Sequence, residues 1–327
     1  TSKTAKWCVE DVAQGACAAP NQIFNSITNN SNTNNSKRTY CAPSGTTDFT
    51  AAMEITGACT GKLQSQIASN SDTREIYTAK AGRLVEFNYT NINNLVGNRL
   101  SQWNVLDTSQ RENMAEKLVG YVRGHTIYED RGSNLASNRL FRYREKTLGD
   151  ITESAAVFVG APNFNYLESS YGNFKKEQAN RTHSVYVGAN DGMLHAFNAS
   201  NGVERWAYIP SILIPKLSSL ADKNYGTNHQ NFVNGSTTVT DICSETCSSA
   251  SDWKTILVGG LGQGGKGFYA LDVTTANNSP NLLWEFDISD DADMGYSFGN
   301  PVITKQLDGT WVVLLTSGYN NTGAGYL

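Results

Sequence analysis

The chain has 327 residues, a net charge of −4, 39% hydrophobic, 10% aromatic and only 17% charged residues. That balance suits one large domain, or a domain with an appendage, and supplies enough apolar surface to exclude disorder throughout. It gives poor electrostatic support to a general nucleic-acid-binding role, and no apolar run of 18 residues offers a membrane-spanning helix.

Low charge combined with 29 Gly and abundant Asn points to a turn-rich, β-rich, exported protein. Residues 1–70 are polar and Asn/Ser/Thr-rich, with NNSNTNNSK at 29–37, and large apolar residues are sparse. They read as a Cys/Asn-rich, loop-rich lead-in or insertion held by disulfides. No signal peptide is visible, so residue 1 is not expected to be the natural start.

Residues 71–327 read as one β-rich domain. EIYTAKAGRLVEFNY at 75–89 is a hairpin pattern, two apolar runs around a Lys80-Ala81-Gly82 turn. A helical insertion follows at about 108–123: Ser109-Gln110-Arg111-Glu112 has capping-box form, and Ala115, Leu118, Val119 and Val122 fall at helical spacing before Gly124. VYVGANDGMLHAFN at 185–198 repeats the hairpin around Asn190-Asp191-Gly192, and superposes on the first at a spacing of 110. A shorter helix is predicted at 211–221. ILVGGLGQGGKGFYALDVT at 256–274 is a third copy, and WVVLLTSGYNNTGAGYL at 311–327 starts a fourth. In two copies a Trp follows after a polar turn, giving strand–turn–strand–turn–strand.

Internal β repeats of this kind predict a β-propeller of four-stranded blades. Ala196 and Ala270 are 74 residues apart, and Gly260 and Gly318 are 58 apart. Both exceed the ~40–45 residues of a compact blade repeat, so insertions, helical and disulfide-bonded, lie between strands. The last copy stops mid-hairpin, so the propeller reads as incomplete at its C-terminus and the chain as a fragment missing its final blades.

Six cysteines, Cys8, Cys17, Cys41, Cys59, Cys243 and Cys247, sit in loop-like surroundings. No C-x-x-C occurs, and His125, His183, His195 and His229 have no metal spacing, so disulfides in an oxidising compartment are favoured over zinc. Six cysteines allow 15 connectivities. The simplest is sequential: Cys8–Cys17, Cys41–Cys59 and Cys243–Cys247.

The order of motifs resembles the PilY/PilC family, the type IV pilus tip-associated proteins with a C-terminal β-propeller. The match is carried by LVGYVRGHTIYED (118–130), FRYREKTLGDITES (141–154), VYVGANDGMLHAFNASNGVERWAYIPS (185–211), KTILVGGLGQGGKGFYALDVT (254–274) and the stretch 282–321. The resemblance covers most of residues 75–327, and none of 1–70. It implies a secreted, non-enzymatic protein at the tip of type IV pili, passing through periplasm and outer membrane during assembly. Such a protein acts in pilus biogenesis, control of retraction and twitching, and surface adhesion, with minor pilins and a surface ligand as partners. A DNA-uptake role is compatible without direct nucleic-acid binding. The von Willebrand A-like domain of many relatives would lie before residue 1, and their usual calcium loop beyond residue 327. Where several relatives have Arg-Gly-Asp, this chain has Arg123-Gly124-His125.

Candidate sites each have a plainer reading. Asp287, Asp290, Asp291 and Asp293 supply oxygens at near-alternating positions, as a calcium loop would. Ala292 and Phe298 break the EF-type pattern, and a turn capped by Asp side chains is the plainer account. GGLGQGGKG at 259–267 lacks the Ser/Thr and helix of a phosphate-binding loop, so its glycines read as a turn needing positive φ. His195, in an apolar strand, has no nucleophile motif beside it and reads as structural. Trp206, Tyr208, Trp284 and Phe286 read as packing between blades. Lys175-Lys176 with Arg181 reads as a solvated loop. The competing functions are a quinone-dependent dehydrogenase, whose propeller has a similar Gly/Trp rhythm but often carries adjacent cysteines absent here, and a periplasmic assembly scaffold without an adhesin role.

Overall fold

The computed structural model describes residues 70–322, apart from 244, 245, 276 and 278, together with residues 63, 66 and 67 and three short strands upstream. Those strands are β1 (Phe24–Asn25), β2 (Tyr40–Cys41) and β3 (Met53–Glu54), paired antiparallel in that order.

The predicted hairpins form. β4 (Ile76–Lys80) and β5 (Arg83–Glu86) pair around Ala81 and Gly82, both left-handed with φ of 51° and 72°. Positive φ at both central residues matches the twist of the flanking strands. β6 (Val157–Val159), β7 (Ser184–Gly188), β8 (Leu194–Asn198) and β9 (Glu204–Ile209) then form an antiparallel meander. A second meander contains β10 (Thr237–Cys243), β11 (Trp253–Gly260), β12 (Gly267–Asp272) and β13 (Asn281–Asp287). β14 (Val302–Lys305) and β15 (Trp311–Leu314) pair as a two-stranded third unit.

Register proves the repeat. Ala196 faces Trp206 and Ala270 faces Trp284, and in each sheet the pairing shifts by one residue directly after that alanine. The two bulges bend the two sheets at the same place. The first strands of the three units lie side by side, β6 against β10 and β10 against β14. This is the stacking of blades in a propeller, although the sheets do not close into a ring among the described residues.

Several expectations need correction. The hairpin at 76–86 is not a blade of its own: β4 pairs parallel with β9, through Ile76–Ala207 and its neighbours, so the first sheet has six strands in the order β5-β4-β9-β8-β7-β6. Its resemblance to the later hairpins is a likeness of turn chemistry, not of position. β15 begins where the fourth copy was expected to start, and it pairs with β14 across Asp308-Gly309 as β11 pairs with β10; residues 323–327 lie outside the described residues. The helical insertion is broken into α1 (Thr108–Arg111) and α2 (Met114–Arg123). Asp107, not Ser109, is the cap: its carboxylate accepts the Gln110 amide, and the Gln110 side chain accepts the Asp107 amide. Asn113 at φ 52° separates the two helices.

α2 buries Met114, Leu118, Val119 and Val122 in the same core as Tyr186, Trp206, Tyr208 and Tyr269. The segment Ser211–Ala221, predicted as a short helix, is an eleven-residue 3-10 helix containing Pro215. It presses Leu213, Leu217 and Leu220 into that core. α3 (Ser169–Glu177) falls where a solvated loop was expected. Its Tyr171 and Phe174 pack on Trp253 and on Cys243 of the Cys243–Cys247 disulfide, while Lys175 lies over the Tyr171 ring. Arg181, from the same expected loop, is half-buried and donates to the Gly160 carbonyl and the Thr255 hydroxyl.

Candidate functional site

Beneath the first blade runs a chain of buried charges. His195 on β8 is fully buried, with Nδ1 2.7 Å from Glu204 Oε1 and Nε2 3.1 Å from both Asp191 oxygens. Glu204 on β9 accepts Arg74 Nε at 2.6 Å and Nη2 at 3.0 Å, and neither side chain of that pair reaches solvent. Arg74 Nη1 donates to the Arg123 carbonyl, at the end of α2. Arg123 and His125 both converge on Asp72, at 2.5 Å and 2.7 Å. The chain therefore ties together the β7–β8 turn, the first sheet, the residues before β4 and the end of α2.

Charge complementarity governs titration here. Burial would lower the His195 pKa, but the Asp191 and Glu204 carboxylates outweigh it and push the imidazole up to about 9. Burial would raise Glu204, but Arg74 and His195 bring it down to about 2. Asp72 and Asp191 are likewise held below the usual carboxylate range against the opposing effect of burial, Asp72 by His125 and Arg123 and Asp191 by His195. His195 is thus a satisfied structural residue, with both ring nitrogens engaged and no nucleophile on either. Arg123-Gly124-His125 is not an open loop. Gly124 ends α2 in the left-handed region at φ 114°, and both flanking side chains turn inward onto Asp72, with exposures of 11% and 19%. Sequence reasoning missed Arg74, Glu204 and Asp72, which are ordinary charges until β4 pairs with β9.

The β7–β8 and β11–β12 turns lie at one end of the sheets, the loop end, where each is held by a segment leading into a blade. Asn190 in the β7–β8 turn donates to Asp150 at 2.8 Å and accepts the Phe232 amide at 2.9 Å. Asn234 accepts the Thr152 hydroxyl and donates to Glu153, so residues 150–153 bridge the first two blades. At the next junction Ser297 takes over: its hydroxyl donates to the Gly267 carbonyl at 2.7 Å and accepts the Leu261 amide at 2.8 Å. The glycine-rich loop 259–267 serves this packing. Only Gly262 in it has positive φ, at 57°. At Gly264 a Cβ would overlap the Phe232 carbonyl, so close backbone approach, not turn conformation, requires glycine there.

The remaining candidates separate. Asp287, Asp290, Asp291 and Asp293 share one loop after β13, but each spends oxygens on its own backbone or neighbours. Asp287 accepts the Ser289 amide at 2.7 Å, Asp290 the Asp287 amide at 2.9 Å and Asp291 the Asp293 amide at 2.9 Å. Asp293 accepts the Thr322 hydroxyl. Among the described residues no group of three or more His, Cys, Asp or Glu side chains is placed to hold a metal ion. The Cys243–Cys247 disulfide is formed. Cys8, Cys17 and Cys59, and the side chain of Cys41, lie outside the described residues. Trp206 and Tyr208 are buried, and Tyr208 meets Tyr269 of the second sheet at 5.6 Å between ring centroids. Trp284 and Phe286 are half-buried and line an apolar cleft toward Val313 and Leu314 of β15.

Comparison with known proteins decides the family. The PilY1 beta-propeller domain matches residues 148–326, more than half of the chain. The chain belongs to the PilY1 β-propeller family. It is 37% identical over 263 residues to the type IV pilus biogenesis factor PilY1 of Pseudomonas aeruginosa strain UCBPP-PA14, which covers 76% of this chain and 21% of that protein. It is 38% identical over 248 residues to the PilY1 homolog of Xylella fastidiosa strain Temecula1, covering 73% of this chain and 19% of that one. The chain therefore spans about a fifth of the length of these curated relatives. The crystal structure of the Pseudomonas aeruginosa PilY1 C-terminal domain is 34% identical, covering 50% of this chain and 32% of that one with a TM-score of 0.40. The PilY1 match spans all three repeat units and the loop end that joins them. No helix among the described residues is long and apolar enough to cross a membrane.

Proposed function

We propose that this chain is the propeller part of a type IV pilus biogenesis factor that works by binding, not by catalysis. In this reading it is exported and reaches the pilus tip by way of the periplasm and outer membrane. It binds minor pilins on one side and a surface ligand on the other, and so contributes to pilus assembly, control of retraction and adhesion. The observation that carries the reading is the PilY1 propeller match over residues 148–326, on a chain whose relatives are named type IV pilus biogenesis factors. The geometry agrees with it. The buried charges are consumed by one another, and the repeated junctions hold the turns of neighbouring blades as a fixed platform from which loops can bind.

Immunogold labelling of sheared, intact pili with an antibody to this propeller tests the proposal. Single gold particles at filament ends are expected. Unlabelled pili, with the antigen confined to periplasm or outer membrane, would leave an assembly scaffold and remove the adhesin role.

A further inference from the structure

The connection from β6 to β7, residues 160–183, does not stay with its own blade. Arg181 donates to the Thr255 hydroxyl on β11, and the Tyr171 hydroxyl donates to Asp241 on β10 at 2.7 Å. The Tyr166 ring stacks on Trp253 of β11 at 5.1 Å between centroids and meets Trp311 of β15 edge-on at 5.7 Å. Glu168 pairs with Lys305 of β14 at 2.9 Å. The connection is a strap that leaves the first unit and crosses the second to reach the third, with α3 in its middle.

The strap is seated on the Cys243–Cys247 disulfide. Ser170 Oγ, in the first turn of α3, donates to the Cys247 carbonyl at 2.6 Å and accepts the Trp253 Nε1–H at 2.9 Å. Cys243 is buried in one cluster with Tyr171, Phe174 and Trp253, and Cys247 packs against that cluster. The two cysteines are only 4 residues apart, and so short a loop restrains the unfolded chain less than a long-range cross-link does. The effect of the bond is therefore concentrated where it lies: it fixes the carbonyl that Ser170 uses and the sulfur on which the rings pack. α3 depends on that seat. It has 9 residues with Gly172 at its centre, Glu168 at its N-cap makes no capping bond, and its buried residues are Ser170, Tyr171 and Phe174. A helix this short is marginal unless it is docked.

We propose that the Cys243–Cys247 bond is a redox latch for this strap: oxidised, it seats α3 across the second and third units; reduced, it lets the strap lift while the sheets keep their fold. The chemistry is thiol–disulfide exchange with a dithiol. Its thiolate attacks the half-buried Cys247 rather than the buried Cys243, and the Cys243 thiolate leaves and takes up a proton. The second thiol of the reductant then displaces Cys247, so the reductant ends as a disulfide and both cysteines as thiols. The reverse exchange with a disulfide donor closes the latch, and nothing in it depends on the pilus-tip reading.

Limited trypsin digestion of the 327-residue chain, read by mass spectrometry, tests the proposal. Lys175 and Lys176 lie on α3, and the exposed Arg99 serves as a reference site off the strap. Cys243→Ser combined with Cys247→Ser, which leaves Cys8, Cys17, Cys41 and Cys59 in place, should speed cleavage after Lys175 and Lys176 roughly tenfold or more, because cleavage follows the population of the opened form. Cleavage after Arg99 and the cooperative urea transition should be retained. Dithiothreitol should bring strap cleavage in the wild type to the rate of the double variant and leave that variant unchanged. Ser170→Ala, with both cysteines kept, should also speed strap cleavage, by about threefold or more, since it removes the bonds to the Cys247 carbonyl and Trp253. Equal strap cleavage in wild type and double variant would overturn the proposal. So would equal acceleration at Arg99, loss of the cooperative transition in the double variant, or an inert Ser170→Ala.

Discussion

Replacing Glu204 by Gln would test the buried charge chain directly. The carboxylate receives two bonds from Arg74 and one from His195, at 2.6, 3.0 and 2.7 Å, and all three side chains are shut off from water. Gln keeps the size and removes the charge, which leaves the Arg74 guanidinium and the His195 imidazolium without their nearest counter-ion. Removing one partner of a buried pair costs about 3–5 kcal/mol, a large share of the ~5–15 kcal/mol that holds a domain together. The pH dependence gives a second handle. With a pKa of about 9, above its ordinary 6.5, His195 contributes its full stabilisation below pH 6.5 and loses it as pH rises through 9. With a pKa of about 2, below its ordinary 4.5, Glu204 contributes above pH 4.5 and loses its share as pH falls through 2. Urea unfolding of the wild type should therefore show greatest stability from these two groups between about pH 4.5 and 6.5. Glu204→Gln should lower stability by about 3–5 kcal/mol at pH 6, abolish the Glu204 part of the acid loss and shrink the alkaline loss, since Asp191 still faces His195. Arg74→Met added to Glu204→Gln should recover part of the deficit by removing the stranded cation. A loss below about 1 kcal/mol at pH 6, with an unchanged pH profile, would refute the reasoning.

Two further outcomes follow from the loops. Gly264→Ala should destabilise at or above the upper end of the ~1–3 kcal/mol typical of overpacking, because its Cβ meets the Phe232 carbonyl rather than a movable side chain, whereas Gly226→Ala, with open space around it, should stay within about 0.5 kcal/mol in the same denaturation assay. Asp291→Ala should leave a calorimetric calcium titration unchanged, since Asp291 already caps the Asp293 amide; a calcium heat present in the wild type and lost in the variant would restore the ion-binding reading of that loop.

The hairpins were legible because their signals are local. An apolar run, a turn residue tolerant of positive φ and a second run specify Ile76–Glu86 and Ser184–Asn198 without help from the rest of the chain. The Trp206 and Trp284 positions were legible for the same reason, as each follows its hairpin by one polar turn. The family resemblance rested on those motifs, and the PilY1 match confirms it over residues 148–326. What depends on distance was not legible. β4 meets β9 across more than a hundred residues, and only that pairing brings Arg74 to Glu204. The helix break at Asn113 was hidden because helical spacing runs on either side of it, and a backbone in the left-handed region leaves no mark on that pattern. α3 was missed because its sequence, SSYGNFKKE, has a Gly at its centre and only two large buried aromatics, Tyr171 and Phe174.

The junctions between blades explain why the repeat is plain in structure and faint in sequence. Each junction needs a polar side chain that reaches from one blade's turn or lead-in to backbone groups of the next. At the first junction Asn190 accepts the Phe232 amide and Asn234 the Glu153 amide, and at the second Ser297 pairs a carbonyl and an amide with one hydroxyl. The residues differ, but the demand is the same: buried amides and carbonyls at the seam must be paired. Such a demand constrains geometry more than identity. The seam therefore repeats a position from one junction to the next without repeating a residue type. A binding function on this fold is best carried by exposed side chains away from the seam, since a substitution at Arg99, exposed and without a hydrogen bond or ion pair among the described residues, breaks no bond of the fold, whereas one at Glu204 or Gly264 breaks the platform itself.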